Sequence, residues 1–167
     1  MARDFFRESI EAARGVGRRA VLLIGDERNL PPSLPEGVIA LDYVPYQSLL
    51  PRACVVVHHG GVGTTSQGLL AGVPTLIVPF AFDQSDNAEH ARKLGTSRTL
   101  YRKNYLAPRV VNELNELLHR PFYTRRAMEV SQQLKQDDGP GRAADLIEQV
   151  LSGKPNGTEE LAYASGH

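Results

Sequence analysis

From Ala53 to Phe82 the chain carries no acidic side chain, no lysine and no arginine. A stretch of that length without charge suggests burial in the protein or a membrane span. Pro74, Pro79 and the glycines at 60, 61, 63, 68 and 72 cut it into short pieces, which argues for strand, helix and strand rather than a membrane span. Residues 53–57, Ala-Cys-Val-Val-Val, are too short for a helix and uniformly apolar, as in a central parallel strand covered on both faces.

The glycines that follow let the backbone turn sharply and approach a ligand, while Thr64, Thr65 and Ser66 bring hydroxyls to a helix start. That helix is expected over residues 64–71, stopping at Gly72. Its first N–H groups carry roughly half a positive charge, which favours an anion such as a diphosphate. Alternation along a strand allows only one of His58 and His59 to face such a ligand, and His59, beside the glycines, is the better placed. Tight packing alone also produces glycine-rich turns; the absence of carboxylates across the whole segment is what favours an anion site.

Residues 75–78 form a second apolar run ended by Pro79, then the loop FAFDQSDN leads to a helix expected over 85–94. Asp83 and Gln84 thus fall at a strand's carboxyl end, the edge where open α/β sheets bind ligands. A carboxylate beside an amide suits several sugar hydroxyls, although Asp83 or Ser85 in this place also suits a helix cap.

The segment 58–84 resembles the donor-binding signature of family 1 nucleotide-sugar glycosyltransferases of the GT-B fold. It is most similar to the bacterial branch acting on macrolides, lipids and other natural products, including rhamnosyltransferases. His59, Gly61, the Gly72-Val73-Pro74 triplet, Pro79 and the Asp83-Gln84 pair follow that signature without insertion. The resemblance runs over about residues 4–151. It implies that Tyr43 and Val44 take the nucleotide base, His59, Gly61, Gly63 and Thr64 the diphosphate, Gln67 the ribose, and Asp83 with Gln84 the sugar. Tyr43 stands where many relatives have Trp, and Gln67 where they have Glu, so UDP- and TDP-sugars are both open as donors.

By the same resemblance the parent protein is an inverting hexosyltransferase whose base sits in a separate acceptor domain, N-terminal to this one. With no Asp-x-Asp pair and no ligand-spaced His/Cys/Asp cluster, we expect neither metal nor cofactor. The fragment alone is then inactive. Two other readings are a non-catalytic donor-binding subunit needing a partner chain, and a nucleotide-sugar epimerase of the same fold.

Outside this segment, alternating strands and helices imply a Rossmann-like parallel sheet flanked by helices, one domain over residues 1–151. A helix is expected at 4–13, with Phe5, Phe6, Ile10 and Ala13 on one face; strands follow at 20–24 and 38–41, around a Pro-rich loop. Only Met1, Ala2 and Arg3 precede that helix, so the domain reads as truncated, lacking its first strand. An exposed sheet edge would then invite self-association or loosen the helix. Beyond Gly95 we expect an extended piece at 97–100 and packing helices at 107–119, 121–136 and 141–151. The last would pack through Ala143, Leu146, Ile147 and Val150. Arg98, Arg102, Lys103 and Arg109 read as solvated surface, and residues 152–167 as a disordered tail.

The formal net charge is zero, from 19 basic and 19 acidic side chains, which gives no pull toward nucleic acid or an anionic bilayer. The single cysteine, Cys54, reads as buried in a strand and suggests a reducing, cytoplasmic setting.

Overall fold

The computed structural model describes residues 2–152. The chain divides into two compact units, one ending at Leu134 and the other beginning at Lys135. In the first unit, helix α1 (Ala2–Gly15) leads to β1 (Ala20–Leu23) and β2 (Val38–Leu41). A short helix α2 (Tyr46–Leu49) precedes β3 (Val56–His58), α3 (Val62–Ala71), β4 (Thr75–Ile77), α4 (Gln84–Lys93) and β5 (Ser97–Thr99). Helices α5 (Ala107–His119) and α6 (Pro121–Gln136) follow, and α7 (Gly139–Leu151) belongs to the second unit.

The strands are parallel, as the alternation with helices requires, but they form two sheets: β1 with β2, and β3-β4-β5 with β4 in the middle. Among the described residues no strand precedes α1. That helix serves both sheets. Ala12 joins a core cluster with Leu76, Val110 and Leu117, bringing α1 and α5 together over one face of β4. Ile10 packs with Leu22, Ile24 and Val38 over the β1-β2 pair. On β4 successive side chains alternate, so Ile77 points to the opposite face and meets Ala88 and Ala91 of α4. The sheet around β4 therefore has helices on both sides, which explains the fully apolar reading of that strand.

Several expectations need correction. The first apolar run does not form the central strand: β3 begins three residues later than expected and lies at a sheet edge, with Val56 and Val57 only half-buried. Pairing explains the shift, because Val56 stands opposite Thr75, and Pro74 before it has no N–H to extend the ladder. Cys54 consequently lies outside the strand and is exposed. Helix α3 starts at Val62, two residues before the first threonine, and ends where expected, on Gly72 with φ of +70°.

Arg98 is not solvated surface. It pairs with Glu113, donates to the Tyr123 hydroxyl at 3.0 Å, and its guanidinium pKa is raised chiefly by the bond to Glu113. Apart from Ser152, the expected tail at 152–167 lies outside the described residues.

Candidate functional site

The carboxyl ends of β3 and β4 lie side by side, and each opens into a loop and a helix. After β3 the chain passes through His59, Gly60 and Gly61 into α3, with Gly61 at the N-cap. No side chain caps this helix and no acid stands in its first turn. The hydroxyls of Thr65 and Ser66 turn back onto the carbonyls of Gly61 (3.0 Å) and Val62 (2.8 Å). Among the described residues nothing accepts from the amides of Val62, Gly63 and Thr64, while Val62 is 65% exposed. An uncapped helix start of this kind, open to solvent, carries a partial positive charge that favours an anion.

Two glycines here bring the backbone close to its neighbours. A Cβ on Gly61 would lie 2.6 Å from Nε2 of His59, so the imidazole rests over the backbone at the helix entrance. Gly60 has φ of +90°, and its Cβ would meet Cγ2 of Ile77 at 2.8 Å and the Gln84 carbonyl oxygen at 3.0 Å. Gly63 faces open space.

The two histidines differ sharply. His59 is exposed, whereas His58 is 7% exposed and accepts from the Gly60 amide through Nδ1 at 3.1 Å. Burial, and secondarily the neighbouring His59, lower the His58 pKa from 6.5 to about 4, so the ring is neutral at pH 7 with its hydrogen on Nε2. That Nε2 is buried and has no partner among the described residues. The Gly60 amide is thus spent inside the protein.

The loop after β4 is braced at both ends. Phe80 lies edge-on to Phe5 of α1 at 6.3 Å between centroids; Phe5 stacks on Tyr105 at 4.6 Å, and the Arg102 guanidinium sits 4.9 Å above the Phe80 ring. Gln84 folds its Oε1 onto the amides of Phe80 (2.7 Å) and Ala81 (3.1 Å). Of its amide, only Nε2 remains to meet a ligand. Phe82, between these anchors, is 94% exposed with φ of +57°, an uncommon conformation for a bulky residue. Asp83 is exposed at the N-cap of α4 but caps no amide; its Oδ2 instead accepts from Asn87 at 2.8 Å.

The remaining candidates lie on other elements. Gln67 is half-buried on α3. Tyr43, 79% exposed, and Val44 follow β2 and line a cleft of about 350 Å³ with Leu23, Gly25, Asp42 and Tyr46. The next helix, α2, packs on α3, which links this cleft to the glycine turn. The structure therefore brings His59, Gly61, Gly63, Thr64 and Asp83 around one strand edge, and places Tyr43 and Val44 one element away. Sequence reading set His58 on the opposite side from His59, and the structure buries it there; it missed the bridge between the two loops, at Gly60 and Asp83, made by one residue of α4, Asn87. Asn87 was signalled by its spacing of four from Asp83 along a helix.

Residues 13–150 match the family of the erythromycin biosynthesis protein CIII-like C-terminal domain. The chain belongs to this family. It is 34% identical over 152 residues to the oleandomycin glycosyltransferase of Streptomyces antibioticus, covering 88% of this chain and 35% of that protein. An uncharacterized UDP-glucosyltransferase, YojK, of Bacillus subtilis is 29% identical, over 91% of this chain and 38% of its own length. Among solved structures, the glycotransferase of kitacinnamycin superposes with a TM-score of 0.79 at 33% identity, over 87% of this chain and 39% of that one. The calicheamicin glycosyltransferase CalG4 gives the same TM-score at 27% identity, over 92% and 41%. The chain thus spans little more than a third of the relatives it matches. Among its described residues, no helix is long and apolar enough to cross a membrane.

Proposed function

We propose that this chain is the donor-binding part of a nucleotide-sugar glycosyltransferase. The observation that carries the reading is the open start of α3, where the Val62, Gly63 and Thr64 amides have no acceptor among the described residues, beside the His59 ring. A diphosphate fits that charge and that shape. In sugar transfer an acceptor oxygen bonds to the anomeric carbon while the bond from that carbon to the diphosphate oxygen breaks. Negative charge grows on the leaving diphosphate, and fixed amides with an imidazole stabilise it without a cation. The proton of the acceptor hydroxyl goes to a base supplied from outside this chain.

Asp83 and the Nε2 of Gln84 would hold sugar hydroxyls, Tyr43 and Val44 the base, and Gln67 the ribose. Names of relatives support the reading: oleandomycin glycosyltransferase acts, by its name, as a glycosyltransferase, and the glycosyltransferase VinC was solved in complex with DTDP.

Calorimetric titration of UDP, dTDP and their glucose conjugates tests it, with magnesium or with EDTA. His59→Ala should weaken free nucleoside diphosphates roughly tenfold, the loss of one charge-assisted hydrogen bond. Asp83→Ala should weaken only the sugar conjugates, and EDTA should change neither. No binding by the wild-type chain, or equal losses for both ligands in both variants, would overturn the assignment.

A further inference from the structure

The glycine turn and the acidic loop are joined by one side chain. Asn87, half-buried on α4, donates from Nδ2 to the Gly60 carbonyl at 2.9 Å and to Asp83 Oδ2 at 2.8 Å. Both partners only accept, so the nitrogen and not the oxygen of this amide must face them, with one hydrogen for each. Gly60 is held from its other side as well, by its amide on His58 Nδ1.

The peptide from Gly60 to Gly61 is planar and trans, so its carbonyl and its N–H point in opposite directions. Fixing the Gly60 oxygen on Asn87 therefore aims the Gly61 N–H away from Asn87 and α4. The same Asn87 nitrogen restrains the carboxylate of Asp83. One residue that need not touch a ligand thus sets both a diphosphate donor and a sugar acceptor.

We propose that Asn87 is a positioning residue that couples the diphosphate turn to Asp83, so that filling the turn alone reorients the sugar-holding carboxylate. This rests on the donor-site reading above. A diphosphate that draws the Gly61 amide toward itself rotates the Gly60 peptide and shifts the Asn87 amide; Asp83 follows through the second hydrogen. Neither partner can move without the other while the amide bridges them.

The test uses the full chain, labelled with ¹⁵N and titrated with UDP or dTDP carrying no sugar. In the wild type, amide signals of Gly61 and Gly63 and those of Asp83 and Gln84 should move together with one dissociation constant. In Asn87→Ala, and in the near-isosteric Asn87→Leu, the Gly61 and Gly63 signals should still move, with affinity about fivefold weaker for the lost hydrogen bond. The Asp83 and Gln84 signals should stay still. Two results overturn the proposal: wild-type signals that move at the turn but not at Asp83, or variants in which Asp83 still responds as in the wild type. No response at the turn in the wild type would instead remove the donor-site reading itself.

Discussion

His58 makes stability depend on pH in a way that one substitution should erase. Its pKa is about 4 in the folded chain, lowered first by burial and then by His59, against 6.5 in the unfolded chain. Above pH 6.5 neither state holds the proton, and the ring contributes no pH dependence. As the pH falls below that value the unfolded chain takes up a proton that the folded chain refuses, so stability drops until the folded pKa is reached. Over the full window the loss is about 3 kcal/mol, and between pH 7 and pH 5 it is about 2 kcal/mol. Protonation also places a hydrogen on Nδ1, where the Gly60 amide now donates, so the turn loses its inner anchor with the charge.

His58→Asn keeps an acceptor near the position of Nδ1 and cannot titrate. Urea unfolding of both proteins at pH 7 and pH 5 measures the difference, with carboxylate effects common to the two cancelling. Wild type should lose about 2 kcal/mol more than the variant. Equal losses would refute the burial argument, as would a His58 ring signal titrating near pH 6.5 by NMR.

Two further substitutions probe the backbone of the same edge. Gly60→Ala places a Cβ 2.8 Å from Ile77 in a conformation that side chains avoid, and should cost about 3 kcal/mol in denaturant unfolding. Phe82→Gly, by contrast, relieves a left-handed conformation at a solvent-facing site and should stabilise the chain by about 1 kcal/mol, seen as a higher Tm. A lower Tm would mean that the Phe82 ring holds the loop.

Much of this fold was legible because burial and period coincide. On α5, Val110, Leu114 and Leu117 repeat at helical spacing and are the residues that pack, and Gly72 ends α3 where a left-handed cap is needed. Strand β3 was misplaced because an apolar run cannot reveal its pairing register, which Pro74 limits from the neighbouring strand. Arg98 was misread for a related reason: its partners Glu113 and Glu116 are on α5, and no local pattern announces them. In the site, glycines, His59 and Asp83 were marked by type and order. The inward turn of His58 followed from strand alternation, whereas the bridge through Asn87 depends on how α4 packs, which composition does not encode.

The ring of Phe80 wedged between Arg102 and the Phe5-Tyr105 stack gives α1 a hold on a loop some 75 positions further along the chain. On the donor-site reading proposed above, trimming Phe5 would slacken that tether and let the acidic tip drift, blurring discrimination among sugar conjugates. On that reading, donor selectivity would be adjustable from the opening helix.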